Sequence, residues 1–260
     1  MAARNATPPP SGGRTATSGT LEGVVIALVG PWELIALRPP AARAKAVRDL
    51  VDRQVAGLQI DPALRRQLIT LMDQQTAQAA ETGVRLMGML TMGRFGLPLA
   101  ATLLATRLPV VFADQAEAVA FAERMAASYG PAAKSADVAQ GEQGLIVRVV
   151  TERDAPVPGG PVGEEAVTVP QTLFHYAIDL GDGAGVVSLT FSTPNVEFKD
   201  AWQEYFDKCA DAVYSTAPPA ADGPEAGGAE AAGPAAERPE SGGAGAPEAA
   251  AEAPEGSGVD

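Results

Sequence analysis

The chain has 260 residues and a formal net charge of −13, because 32 acidic residues outnumber 19 Lys and Arg. Residues 21–216 carry −7 of this charge without a clustered basic stripe, which argues against binding to nucleic acid or to anionic lipid. With one cysteine and one histidine, the chain cannot form an intramolecular disulfide or supply the usual nitrogen and sulfur ligands of zinc by itself.

The two ends differ in composition from the middle, and residues 1–20 and 217–260 are predicted to be disordered tails. The C-terminal segment is almost entirely Ala, Gly, Pro and Glu, with no Leu, Ile, Phe, Tyr or Trp. It therefore cannot bury enough apolar surface to offset the entropy of ordering. We interpret it as a solubilising or spacing segment. A single α+β domain is predicted at residues 21–216, which is long enough for one well-filled core.

Residues 24–37 are predicted to form strands with a Gly-Pro bend, and two helices follow. The apolar stripe that predicts a helix over residues 41–58 consists of Val47, Leu50, Val51, Val55 and Leu58. Asp61 is predicted to cap a second helix that begins at Pro62 and runs to Glu81. Its predicted stripe contains Leu64, Leu68, Leu71 and Met72. The short link between the helices predicts an αα-hairpin packed on one sheet face.

Residues 84–92 are predicted to form a strand that contains Met87, Met89 and Met92. Three methionines could form a soft, adaptable binding surface. Their spacing of two and three residues is also that of a half-buried strand, which favours a position in the core. A hairpin turn at residues 93–96 and a strand over residues 100–111 are predicted next.

The second half of the domain is predicted to hold a helix, several strands and a last helix. Asp114 and Glu117 resemble a capping box at the start of a helix that runs to Tyr129. Strands are predicted next over residues 137–140, 144–153 and 168–180, and a glycine-rich turn at 181–185 then returns the chain antiparallel. An apolar stripe then predicts a helix over residues 196–214; it is formed by Phe198, Trp202, Tyr205 or Phe206, Cys209 and Val213. This order predicts a mainly antiparallel sheet with helices packed on its faces, an α/β/α sandwich-like fold.

The two most reactive side-chain types are both predicted to be structural. His175 lies on the less apolar face of its predicted strand, which favours a half-exposed structural residue over a catalytic base. Cys209 lies on the apolar stripe of the last helix, where cysteine commonly behaves as a small hydrophobic residue. A reactive thiolate would need an accessible, electropositive setting, and Lys208 points elsewhere on the helix.

The remaining polar clusters also favour structural roles. In residues 192–195, Thr193 or Asn195 could cap the last helix, with a ligand role as the alternative. Asp182 sits among the glycines of a predicted turn and lacks the acid spacing of a calcium loop. Acid pairs are too common in an acidic chain to indicate catalysis; examples are Glu164 with Glu165 and Asp207 with Asp211. Nucleotide-binding motifs and a nucleophile elbow are absent, so we predict no catalytic, cofactor-binding or metal-binding residues and no cofactor.

Two stretches of the sequence carry a resemblance to other proteins. The chain resembles a group of uncharacterised actinobacterial proteins in two regions. The first is Gly30-Pro31-Trp32 with the Arg-rich helix that follows, and the second is residues 190–194 with Glu204-Tyr205-Phe206-Asp207. The order of elements is similar to that of the PsbP/Mog1 superfamily, which implies an α/β/α sandwich and a mainly non-enzymatic role in binding or assembly.

Some relatives of that actinobacterial group resemble proteins encoded near type VII secretion systems. This chain departs from the secreted substrates of that pathway. Those substrates have a Trp-x-Gly pattern, whereas Trp32 is followed here by Glu33-Leu34. Cys209 also stands four positions after Tyr205, where those substrates have an acid. If the chain belongs near that pathway, the resemblance implies a cytosolic location.

These observations predict a non-catalytic cytosolic protein-interaction or assembly module that binds a protein partner through the sheet face or the αα-hairpin. The alternative is a binder of a small apolar ligand, held between the methionine strand and the Trp202 helix. A third hypothesis is an enzyme that uses Asp, Glu, Ser or Thr alone. The N terminus lacks the basic-then-apolar order of a signal peptide, and no apolar run is long enough to span a membrane, so a cytoplasmic location is expected.

Overall fold

The computed structural model describes residues 16–94, 97–156 and 168–216, which form four α-helices and two antiparallel sheets. The strands are β1 (Ala16–Leu21), β2 (Val24–Val29), β3 (Trp32–Ala36), β4 (Leu86–Arg94), β5 (Leu97–Leu108), β6 (Ala133–Gln140), β7 (Leu145–Pro156), β8 (Thr168–Asp179), β9 (Val186–Thr193) and β10 (Val213–Ser215). The helices are α1 (Pro40–Gln54), α2 (Pro62–Glu81), α3 (Gln115–Tyr129) and α4 (Lys199–Asp211). The predicted α+β fold with a mainly antiparallel sheet is confirmed.

The larger sheet has seven strands in the order β3-β4-β5-β9-β8-β7-β6, and its two faces pack against different layers. Because side chains alternate along a strand, β8 directs Phe174, Tyr176 and Ile178 to one face and Ala177 to the other. We call the first the α4 face, since α4 and a three-stranded sheet of order β1-β2-β10 cover it. The second is the hairpin face, which α1, α2 and α3 cover.

The smaller sheet corrects the predicted start of the domain. Residues 16–20, which composition assigns to the N-terminal tail, belong to β1, and β1 pairs with β2 from Ala16 opposite Val29 to Leu21 opposite Val24. A Cβ at Gly19 would lie 2.7 Å from a methyl carbon of Leu86, so this glycine lets β1 approach the larger sheet closely. Residues 1–15 and 217–260 lie outside the described residues, and the prediction of disorder for them stays a prediction.

On the hairpin face, α1 and α2 form the predicted αα-hairpin over β3, β4 and β5. Val47, Leu50 and Ala80 pack there with the strand residue Ile35. Asp61 caps α2 as predicted, because its side chain accepts a hydrogen bond from the Ala63 amide at 2.8 Å. The first helix is shorter than predicted: α1 ends at Gln54, and Leu58 is exposed.

The predicted capping of α3 is confirmed. The Asp114 side chain accepts a hydrogen bond from the Glu117 amide at 2.9 Å, and the Glu117 carboxylate accepts one from the Ala113 amide at 2.7 Å. Ala118 and Ala122 then pack α3 against β7 on the hairpin face. The helix ends at Tyr129, and Gly130 follows it as the C-cap, as predicted.

The predicted helix over residues 196–214 is divided into three elements. Val196–Phe198 is a short 3₁₀ turn, α4 follows, and β10 then pairs with β2. Val213 is fully buried, as its place in the predicted apolar stripe requires, but it is buried as a residue of strand β10 and not of a helix. None of the helices in the described part of the chain is long and apolar enough to cross a membrane.

Candidate functional site

The tip of the αα-hairpin, which we define as residues 55–64, exposes two large apolar side chains. Leu58 is 63% exposed and Leu64 is 46% exposed. Helix α2 has 20 residues, but its buried residues, Thr76 and Ala80, both lie in its second half. The first half of α2 therefore carries apolar surface that the described part of the domain leaves uncovered.

The hairpin is also the basic part of an acidic chain. Residues 38–66 contain seven Lys and Arg and three Asp. Several of these charges are paired, as in the Arg53–Glu33 contact at 2.6 Å and the Arg65–Asp52 contact. Arg48 and Arg66 are exposed and take part in none of the ion pairs formed by residues 16–94, 97–156 and 168–216. The apolar tip thus belongs to a segment with unpaired positive charge.

His175 is buried on the hairpin face, and not half-exposed as predicted. The Tyr129 ring stacks on the imidazole at a centroid distance of 4.7 Å. The ring nitrogens lie 3.2 Å from the Thr190 hydroxyl and 3.3 Å from the Thr151 hydroxyl. Burial, assisted by the positive charge of Arg153, lowers the pKa of His175 to about 4. The imidazole is therefore neutral at physiological pH and has the contacts of a structural residue.

Asp207 and Asp211, an acid pair for which no catalytic role is predicted, line a cavity between α4 and the β6–β7 turn. The cavity has a volume of about 190 Å³. We call it the α4 notch; it is lined by Asp137, Ala139, Ile146, Arg148, Tyr176, Asp207, Ala210 and Asp211. Its walls thus combine carboxylates, one guanidinium and apolar side chains.

Arg148 is the centre of the α4 notch. It donates hydrogen bonds to Asp207 at 2.6 Å and to Asp137 at 3.2 Å. The Tyr176 hydroxyl donates to the second oxygen of Asp207 at 2.8 Å. Burial alone would lower the pKa of Arg148, but the contacts with Asp207 and Asp137 outweigh burial and raise it. The guanidinium therefore stays charged and joins β7 to both β6 and α4.

Asp211 has no such cation beside it. Burial raises the pKa of this carboxyl, and the negative charges of Glu142 and Asp207 raise it further, against a hydrogen bond from the Glu142 amide. Within the described residues, neither Asp211 nor Glu142 forms an ion pair. The notch consequently keeps uncompensated negative charge at the end of α4.

Among the described side chains, Met87 and Met89 do not share a site with the Trp202 helix. Met87 and Met89 pack with α1 and α2 on the hairpin face, whereas Trp202 packs on the α4 face. The seven-stranded sheet separates them, so they cannot line one cavity. The Met92 side chain and residues 95–96 of the predicted hairpin turn lie outside the described residues.

Asn195 lies at the N-cap position of the 3₁₀ turn at Val196–Phe198 without a side-chain capping hydrogen bond, and Phe198 precedes α4, so neither Thr193 nor Asn195 caps α4 itself. The Thr193 hydroxyl donates to the Ala100 carbonyl at 2.8 Å, and the Asn195 side chain accepts from the Ala100 amide at 3.0 Å. Residues 192–195 are thereby tied to β5 and have a structural role.

Cys209 and Asp182 also have structural surroundings. Cys209 is fully buried in the core as predicted, and burial raises the pKa of its thiol to about 11. The glycine-rich turn joins antiparallel β8 and β9 as predicted, and Asp182 within it pairs with Arg107. The predicted acid pair Glu164 with Glu165 lies outside the described residues.

No group of three or more His, Cys, Asp or Glu side chains among the described residues is arranged to hold a metal ion. Comparison with known proteins finds no matching family model, no matching curated protein and no matching solved structure. The resemblance to actinobacterial proteins and to the PsbP/Mog1 superfamily therefore stays a prediction.

Proposed function

We propose that this chain is a non-catalytic protein-interaction module that docks a partner on the tip of its αα-hairpin. The exposure of Leu58 and Leu64 at that tip carries the proposal. Fully covering a leucine side chain stabilises a complex by about 1.5–3 kcal/mol before the costs of association are subtracted. Two such leucines can anchor a larger interface, but their burial alone does not offset the cost of association, which is about 4–15 kcal/mol.

The hairpin is favoured over the sheet face, the other predicted docking surface. Both faces of the seven-stranded sheet already pack against helices or against the smaller sheet. Arg48 and Arg66 bring exposed positive charge to the same hairpin. A fitting partner therefore presents apolar side chains with carboxylates around them.

The surroundings of the reactive side chains support a non-catalytic role. His175 is buried and neutral, and Cys209 is buried with a raised pKa. The cytosolic location and the association with a type VII secretion-like system belong to the proposal and rest on the sequence alone. The small-ligand alternative is less favoured, because Met87 and Met89 lie on the sheet face opposite to Trp202.

Photo-crosslinking in the native cells tests the proposal. A photoreactive amino acid replaces Leu58 or Leu64 in the full chain, and Val119, which is 40% exposed on α3, provides the matched control position. We expect a discrete crosslinked product from positions 58 and 64 that is absent from position 119. Identical patterns from all three positions, or no product from the hairpin positions, would contradict docking at the tip.

A further inference from the structure

We propose that the αα-hairpin of one copy binds the α4 notch of a second copy, so that chains associate head to tail. This inference rests on the proposed function and deepens it, because it names the partner that the hairpin takes. It requires two surfaces on one chain that are complementary in charge, that do not overlap and that each have unpaired groups.

The charges of the two surfaces mirror each other. Residues 38–66 contain seven basic and three acidic residues, a local charge of +4. The notch is lined by Asp137, Asp207 and Asp211 with Arg148, and Glu142 lies beside Asp211, so these five residues carry a local charge of −3. Complementary potentials of this kind steer association and select the partner. Because both halves occur on this chain, a second copy satisfies the charge requirement of each surface.

Unpaired groups are present on both sides. On the hairpin, Arg48 and Arg66 are exposed and form no ion pair with another described residue. At the notch, Asp211 and Glu142 likewise lack a cationic partner within the described ranges. The raised pKa of Asp211 is consistent with a carboxylate whose charge is not compensated.

The notch has the size and walls that a basic side chain needs. A cavity of about 150 Å³ holds a benzene molecule, so the 190 Å³ of the notch can hold a guanidinium group with part of its stem. Ala139 and Ile146 provide apolar contact for the methylene groups, while Asp211 faces the charge. Arg148 is already engaged by Asp137 and Asp207, so the notch is best completed by a cation from outside.

The two surfaces belong to opposite faces of the seven-stranded sheet. The hairpin packs over β3, β4 and β5, whereas the notch lies between α4 and the β6–β7 turn. One copy can therefore use both surfaces at the same time. A contact between two different surfaces leaves a free hairpin at one end of the assembly and a free notch at the other. Further copies can therefore add until the assembly closes into a ring.

Sedimentation of the full chain at low and high ionic strength tests the inference. We expect the average mass to rise above 26.5 kDa with concentration in 20 mM NaCl and to return to that of the monomer in 500 mM NaCl. The hairpin variant is Arg48→Gln with Arg66→Gln, and the notch variant is Glu142→Gln with Asp211→Asn. The side-chain oxygen of the new asparagine can still accept a hydrogen bond from the backbone amide at position 142. Each is expected to weaken self-association about tenfold, since an exposed ion pair contributes little alone.

Mixing the two variants gives the decisive result. The notch variant keeps a native hairpin and the hairpin variant keeps a native notch, so an equimolar mixture has one intact contact. We expect it to form a 1:1 dimer that grows no further, at concentrations where each variant alone is monomeric. A control with neutralised Glu123 and Arg124 on α3 should associate as the native chain does.

A native chain that stays monomeric in 20 mM NaCl, a mixture that stays monomeric, or association that neither salt nor the variants weaken would overturn head-to-tail binding. The proposed function fails separately. If the hairpin positions crosslink to a different protein while the purified chain is monomeric, docking at the tip stands and self-association falls. A crosslinked product of twice the chain mass supports both.

Discussion

Replacing Asp182 with Asn leaves the Arg107 guanidinium buried without its counter-ion. The two side chains are only 7% and 8% exposed, respectively. Asp182 also accepts a hydrogen bond from the Ala184 amide at 3.0 Å, and Arg107 donates to the Glu22 carbonyl at 3.3 Å. The pair thus joins β5, the β8–β9 turn and the β1–β2 turn at one end of the domain.

Removing one partner of a buried ion pair costs about 3–5 kcal/mol, because the remaining charge is uncompensated. For a domain of this size, each kcal/mol lowers Tm by about 2–4 °C, so Asp182→Asn should lower it by about 6–20 °C. Urea denaturation can be followed by the fluorescence of Trp32 and Trp202, which are both buried. The double variant Arg107→Met with Asp182→Asn removes both charges and should be more stable than Asp182→Asn alone.

Two results would refute this reasoning. One is an Asp182→Asn variant within about 1 kcal/mol of the native chain, since an exposed pair contributes that little. The other is a double variant whose loss equals the sum of the single losses, because groups in direct contact should show coupling.

The same pair predicts a dependence of stability on pH. Burial alone would raise the pKa of the Asp182 carboxyl, but the hydrogen bonds from Arg107 and from the Ala184 amide outweigh it and lower the pKa below 3.8. A pKa that is lower in the folded state stabilises the fold fully above the unfolded pKa, and this contribution is lost as the pH falls through the folded pKa. The stability difference between the native chain and Asp182→Asn should therefore shrink below about pH 4.

Three further predictions concern buried side chains. Cys209, with a thiol pKa of about 11, should resist alkylation in the native protein at pH 8 and react after unfolding, as mass spectrometry would detect; rapid native alkylation would contradict its burial. The ring protons of His175 should not titrate in NMR spectra above about pH 5, and stability should fall as the pH drops from 6.5 towards 4, because the unfolded state binds the proton first. Phe206→Ala should cost about 3–5 kcal/mol in urea denaturation, because Phe206 is fully buried and stacks on Phe191 with a centroid distance of 4.3 Å; a loss below 1 kcal/mol would show that the core repacks around it.

Much of the fold could be predicted because its signals are local. The apolar stripe predicted for the first helix placed Val47, Leu50 and Val51 in the core, and the cap at Asp114 marked the start of α3. The predictions fail where pairing between strands that are distant in the sequence decides the secondary structure. Val213 continues the apolar spacing of α4, but a place beside β2 makes it a strand residue. Local spacing contains no information about that edge.

The α4 notch could not be predicted for a related reason. Its central contact joins Arg148 to Asp207, which lie 59 positions apart in the sequence. Each side chain looks ordinary in its own element, because an acidic chain has many Asp pairs on helices. Only the packing of α4 beside β7 brings them together and leaves Asp211 without a cation.

Helix α2 reverses the usual relation between residue type and burial. Its predicted core stripe contains Leu64, but that residue is exposed, while Thr76 and Ala80 are buried. Ile69 and Met72 pack against the same core as Ala80, whereas Leu64, nearer the start of the helix, is 46% exposed. Leaving a leucine in water forgoes the stabilisation that its burial would bring. Covering Leu64 and the neighbouring Leu58 with a partner is therefore expected to be favourable, and the hairpin tip is where that partner should bind.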